Sequence, residues 1–325
     1  MSNNNPFAIT VGDASGVGPE ILLHAFAQAE LTWPLVAFGD LEALHFYNER
    51  LGYGIALRDI QHPNQYEPGP LNVVDHRLLK AGDVTPGKLS RAAGHAAREY
   101  VVSATNAALA HEVRAIVTLP MNKEATCLSD PRFTGHTELI GALCGSKDVT
   151  IMLASADLIV THVSTHVSLL NAIRLAKQPR IQTIIQLTVE AVRKLKPDAR
   201  IVVAGLNPHA GENGLFGDEE IREIIPAVKW AQAQGWPVEG PLPPDTLFYL
   251  AVRRKKFDAV VCMYHDQGHV PSKLLDFEGG VNIALGLPIV RTSVDHGTAF
   301  DIAGKGVAST RSLIRAMEYA EKLTG

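Results

Sequence analysis

Phe7-Ala8-Ile9-Thr10-Val11-Gly12-Asp13-Ala14-Ser15-Gly16-Val17-Gly18-Pro19-Glu20-Ile21-Leu22-Leu23 is the stretch that decides the fold. It opens with a short apolar run and passes through three glycines. From Pro19 its apolar residues recur at helical spacing, so residues 19–28 are expected to be a helix. Proline suits a first helical turn, where its missing N–H would have had no partner. The stretch therefore reads as strand, glycine loop, helix. The same alternation recurs, with strands expected over 35–38, 115–118, 150–154, 158–161, 200–204, 259–263 and 289–292. Helices are expected over 41–51, 89–111, 179–195, 219–234, 246–253 and 311–323. This order predicts an α/β protein with mostly parallel sheets. Asp218 and Asp245 are expected to cap helix starts. The Ala-rich helix near 88–111 is expected at the centre of one lobe.

A chain of 325 residues exceeds one ordinary core, so two lobes are expected, 1–127 plus 286–325 and 128–285. A hydrophobic content of 46% with 20% charged residues describes a globular chain. The net charge of −4 gives no reason to expect nucleic acid or an anionic membrane as partner. An anionic substrate would need a local cluster of Lys and Arg. Cys127, Cys144 and Cys262 form no close pair and read as buried thiols. The polar start, and the absence of an 18-residue apolar run, argue against a signal peptide and a membrane span. A cytoplasmic protein is expected.

The loop Gly12 to Glu20 offers backbone amides and a helix N-terminus to an anion or cofactor, but lacks the spacing of a dinucleotide or phosphate-loop fingerprint. A second loop, Asp295-His296-Gly297-Thr298-Ala299-Phe300-Asp301-Ile302-Ala303-Gly304-Lys305-Gly306, sets carboxylates for ribose hydroxyls beside flexible backbone. Among thirteen histidines, His166, His209 and His265 each follow an expected strand, and His136 lies in Gly135-His136-Thr137. Strand ends in an open parallel sheet converge on a crevice, where three imidazoles could hold a divalent cation. His162/His166 and His265/His269 also stand four apart, without the flanking residues of a zinc motif, and Asp245 and Asp266 are carboxylate neighbours. Downstream, Lys273, Asn282 and Arg291 recur at nine-residue intervals, two cations and an amide able to grip a phosphate monoester. His136 and Thr137 could add neutral donors there.

Segments 9–20, 118–123, 133–138, 206–211, 240–248, 263–268 and 280–304, in this order, resemble the 4-hydroxythreonine-4-phosphate dehydrogenase family over nearly the whole chain. The loop 295–306 also resembles the cofactor loop of isocitrate and isopropylmalate dehydrogenases. The resemblance implies that fold, with NAD bound near Gly12, Asp13, Gly16, His296, Gly297, Thr298 and Asp301. It implies a divalent metal (Zn, Mg, Mn or Co) on His166, His209 and His265, and substrate on His136, Thr137, Lys273, Asn282 and Arg291. It further implies a homodimer with active sites at the subunit interface.

Biosynthetic members of vitamin B6 formation follow His-Asp-Gln-Gly with Leu-Pro; here His269-Val270-Pro271-Ser272-Lys273 follows. With Thr118-Leu119-Pro120-Met121-Asn122-Lys123, that resembles the paralogous branch oxidising 4-phospho-D-threonate or 4-phospho-D-erythronate. The implied reaction oxidises C3 with hydride transfer to NAD, then decarboxylates the β-keto acid to dihydroxyacetone phosphate. Asp245, or a water on the metal, is the candidate base and Lys123 a candidate proton relay. The alternatives within the family are the vitamin B6 enzyme and an aromatic cis-dihydrodiol carboxylate dehydrogenase. Outside it stand a phosphate acyltransferase of similar fold and a non-catalytic sugar-phosphate or metal sensor.

Overall fold

Parallel strands buried on both faces dominate the computed structural model, which describes residues 5–325. Strands among these residues are β1 (Phe7–Thr10), β2 (Leu35–Gly39), β3 (Leu57–Ile60), β4 (Leu71–Asp75), β5 (Ile116–Thr118), β6 (Thr150–Ala154), β7 (Ile159–His162), β8 (Ile201–Ala204), β9 (Val238–Leu242), β10 (Ala259–Cys262), β11 (Val281–Leu285) and β12 (Arg291–Val294). Helices are α1 (Gly18–Ala27), α2 (Leu41–Leu51), α3 (Arg91–Leu109), α4 (Lys123–Cys127), α5 (His136–Leu143), α6 (Leu169–Leu175), α7 (Gln178–Leu195), α8 (Ile225–Ala233), α9 (Pro244–Val252), α10 (His265–Leu275) and α11 (Arg311–Thr324). No described helix is long and apolar enough to cross a membrane.

Contacts divide the chain into two units, Met1–Lys147 with Leu287–Gly325, and Asp148–Gly286. In the first, strands run β3-β4-β2-β1-β5-β12, every ladder parallel, with Ala8 opposite both Val36 and Ile116. All residues of β1, β2, β5 and β12 are buried, which is why they read as apolar runs without alternation. The Ala-rich α3 packs on β1, β2 and β5 and on α4 and α5, as the sequence suggests. Because α5 belongs to that packing, residues 128–147 go with the first unit, not with the second as the expected boundary had it.

The second unit orders its strands β11-β6-β7-β10-β8-β9. β11, β6 and β7 pair antiparallel, and β7, β10, β8 and β9 pair parallel. Ile151, Leu153, Val160, Val202, Val260 and Phe257 are part of its core.

Two capping expectations fail. Asp218 precedes a π-helical turn, Glu220–Ile224, and its carboxylate pairs with Arg222 at 2.7 Å. The wider turn suits Pro226, which lacks the N–H an α-helix would use. Asp245 lies inside the first turn of α9, after the capping position Pro243, and accepts only from the adjacent Thr246 N. β3, β4, β9 and β11, with α4, α6 and α10, are elements the sequence did not mark. β9 is hidden by its Gly240-Pro241, and α10 carries Pro271 in its interior.

Candidate active site

The end of β10 and the start of α10 deliver His265. Its Nδ1 lies 2.7 Å from Asp266 Oδ1, so that nitrogen donates to the carboxylate and Nε2 is the ring nitrogen left to face a ligand. The His166 ring, on the segment after β7, lies 5.8 Å from the His265 ring. Thr165, His166, Ser168, Tyr264, His265 and Asp266 line one pocket. The other members of the two pairs that stand four apart, His162 and His269, belong here as well. His162 is fully buried and its ring lies 4.7 Å from that of His269, which stacks on His265 at 3.5 Å. Burial, then the charge of His269, pulls the His162 pKa down to about 3, so it is neutral.

His209 follows β8 in a different setting, its ring 6.0 Å from Phe216. Residues 209–213 all have left-handed backbone, with φ of 53°, 53°, 80°, 42° and 56°. Outside glycine that conformation costs roughly 1–2 kcal/mol per residue, so its surroundings must hold it. Glu220, which is 1% exposed, accepts from Leu206 N and Asn207 N at 2.7 Å each and from Asn207 Nδ2 at 2.9 Å. Gln267 ties the two strand ends together, accepting from Met263 N and donating to Gly205 O, both at 2.7 Å. Neither residue was singled out from sequence, because buried acceptors of backbone amides leave no spacing signal. Among the described residues no group of three or more His, Cys, Asp or Glu side chains is placed to hold a metal ion. His166 and His265 share a pocket, and His209 is not among the residues that line it.

Unit 1 holds Arg291 at the start of β12, 2% exposed. One guanidinium nitrogen donates to Thr118 Oγ1 at 2.7 Å, while Nε is buried with no partner. Burial lowers its pKa to about 10, opposed by Glu138, and leaves it charged. His136, first residue of α5, is pulled down to about 3 by burial and then by Arg291, and is neutral. It bonds the Leu119 backbone, and its Nε2 is buried without a partner. Thr137 follows it, and Lys123, exposed, begins α4. In the second unit, Lys273 Nζ lies 5.1 Å from the Phe277 ring centre, and Asn282 Oδ1 is buried without a partner. Asp245 is exposed and is not among the residues lining the His166–His265 pocket.

The two glycine loops pack on one another. Gly12 has φ +77°, and a side chain there would strike Pro120 O at 2.5 Å. Gly16 abuts Thr298, and Val17 N donates to Thr298 O. Glu20, buried, accepts from Gly304 N at 2.9 Å and Ala308 N at 3.0 Å, which pins the second loop to α1. Asp13 is fully buried and accepts from Ser15 N, so Gly12, Asp13 and Gly16 act as the floor of the loop. Gly297 and Asp301 remain exposed, and His296 and Thr298 partly so.

Residues 30–320 match the family described as pyridoxal phosphate biosynthetic protein PdxA. A D-threonate 4-phosphate dehydrogenase from Cupriavidus necator is 46% identical, over 99% of this chain and 98% of its own length. The chain belongs to the PdxA family. A 4-hydroxythreonine-4-phosphate dehydrogenase from Beijerinckia indica is 43% identical over 98% of this chain and 95% of its own. The crystal structure of a 4-hydroxythreonine-4-phosphate dehydrogenase from Klebsiella pneumoniae superposes with a TM-score of 0.88, at 43% identity, covering 99% of this chain and 98% of that one. As a PdxA-family member the chain is an oxidoreductase of the dehydrogenase type. For a metal, the His166–His265 pair fits two corners of a three-imidazole site, with Asp266 fixing one tautomer. For NAD, the accessible Asp301 and Gly297 of the second loop fit a ribose and a backbone approach.

Proposed function

We propose that the chain oxidises C3 of 4-phospho-D-threonate or 4-phospho-D-erythronate with NAD and releases carbon dioxide, leaving dihydroxyacetone phosphate. The observation that carries this reading is Arg291, a buried cation whose Nε lacks an acceptor, beside the open Nε2 of a neutral His136. A dianionic phosphate offers oxygens for both. The names of two of the relatives, each a D-threonate 4-phosphate dehydrogenase, point the same way. The departure His269-Val270-Pro271 favours the threonate branch over the vitamin B6 enzyme.

A divalent ion held by His166 and His265, with His209 of a second copy, would contribute Lewis acidity toward the C3 hydroxyl and the keto acid. The second copy is what the family resemblance implies, and it accords with His209 not lining the His166–His265 pocket. Leu169, Leu170, Val270, Leu274 and Phe277, all at least 60% exposed and all in the second unit, form the apolar surface such a dimer would bury. Asp266 holds His265 in the tautomer that leaves Nε2 outward. Asp245, or a water on the metal, is the candidate base for the hydroxyl proton, and Lys123 is the candidate proton relay. Asp301 and His296 hold the nucleotide.

The test is a panel of phosphorylated threonate, erythronate and 4-hydroxythreonine with NAD. NADH and carbon dioxide should appear one to one with a threonate or erythronate. Turnover of the amino substrate alone would move the chain to the vitamin B6 reaction; NADH without carbon dioxide would remove the decarboxylation.

A further inference from the structure

The geometry points to His269 as a positioning residue for His265, an imidazole that backs the other face to face and is itself held from behind by His162. This rests on His265 being a metal ligand. The two rings lie 3.5 Å apart with planes 10° from parallel, which is van der Waals contact over the whole face. Helical spacing alone brings i and i+4 side chains onto one face but leaves their χ angles free. Here a chain of hydrogen bonds removes that freedom. His269 Nδ1 lies 3.1 Å from the His265 carbonyl and 3.2 Å from His162 Nε2, and His162 Nδ1 lies 3.3 Å from the Ile151 carbonyl.

One proton arrangement satisfies these three contacts. His162 donates from Nδ1 to Ile151 O and accepts at Nε2, and His269 donates from Nδ1, shared between His162 and the His265 carbonyl. The backing ring is thus fixed in rotamer and tautomer. Gly268 makes room for His162 behind it, because a Cβ there would lie 2.5 Å from His162 Nε2. His265 is then gripped on two sides, Nδ1 against Asp266 and one face against His269, with Nε2 left for the ion. A side chain that only filled space would not need a ring or a second hydrogen bond.

The experiment is a Co(II) titration of the full-length protein, followed by visible absorption of the histidine-bound ion, on wild type, His269→Leu and His269→Phe. Circular dichroism is recorded on each. Losing an outer-shell partner of a metal ligand typically weakens the metal by about 10–100-fold. His269→Leu should show a loss of that size, and His269→Phe, which keeps the stacked ring but not the Nδ1 bond, a smaller one. Equal Co(II) affinity in wild type and His269→Leu overturns the inference while leaving the metal assignment standing. A wild type that binds no Co(II) overturns both. Should His269→Leu fail to fold, His269→Phe decides: Co(II) affinity below wild type supports the role, and unchanged affinity overturns it.

Discussion

His265 in the second unit has its Nδ1 against a carboxylate and its face against another imidazole, whereas Arg291 in the first is 2% exposed with its Nε unmet. The difference follows from what each would meet. A metal ligand must aim a lone pair before the ion arrives, so its other contacts are satisfied by the protein. A buried cation left short of acceptors is unfavourable by several kcal/mol on its own. An anionic ligand brings the acceptors with it, so the deficit is made good only in the complex. Saturation marks the residues that orient, and deficit marks those that bind.

The sharpest way to break the contrast is to ask whether the saturated cluster is complete in one chain. His209→Ala and His265→Ala should each abolish turnover, the largest effect expected. Mixed and reassembled, the two inactive variants should recover about a quarter of wild-type activity if partners exchange at random, because each mixed dimer keeps one site with both imidazoles. Steady-state NADH formation before and after mixing reads this directly. No recovery from a mixture shown to contain mixed dimers would place His209 and His265 in the same site of one chain.

Next in size is the deficit. Arg291→Ala should raise KM for the phosphorylated substrate by the equivalent of about 1.5–3 kcal/mol, the range for a charge-assisted hydrogen bond. The unphosphorylated analogue should respond much less. A phosphorylated-substrate KM that does not move would show that Arg291 is a structural cation, and that its unmet Nε has no bearing on the ligand.

Periodicity made the alternation of strand and helix legible, and the first strand, α2 and β6 occupy the residues expected. It missed β9 and α10 because both carry proline, which sequence reading treats as a breaker while tertiary contacts hold the segment in place. For the site, position after a strand end brought His166 and His265 into view, the Gly135-His136-Thr137 segment brought His136, and the nine-residue spacing brought Arg291. What stayed hidden was the layer behind them. Glu220 and Gln267 act through backbone amides and carbonyls from distant segments, and that geometry exists only after folding. His162 and His269 had a visible spacing, yet spacing cannot tell a stacked pair from two unrelated side chains. Asp13 shows what spacing cannot give at all, the burial of a side chain. A carboxylate in a glycine loop reads as a ligand, but its loop is roofed by residues near 298, and burial decides its behaviour.

That burial yields the smallest of these effects and the one with a definite sign. Asp13 is fully buried, Oδ1 accepts from Ser15 N, and Oδ2 has no partner. Desolvation lifts its pKa from 3.8 to about 6 against the pull of the Ser15 and Asn122 backbone bonds. The folded chain therefore holds a proton that the unfolded chain releases first, so stability is full below the ordinary value and declines as pH rises through about 6. Between pH 5 and 7 this one group should remove about 1 kcal/mol. Asparagine keeps an acceptor for Ser15 N and puts an uncharged amide where the lone oxygen sits, so Asp13→Asn should lose that slope and gain on wild type at pH 7. Denaturant unfolding of both proteins at the two pH values checks it. Parallel changes in the pair would mean that the carboxyl ionises freely and that the unmet oxygen is hydrated.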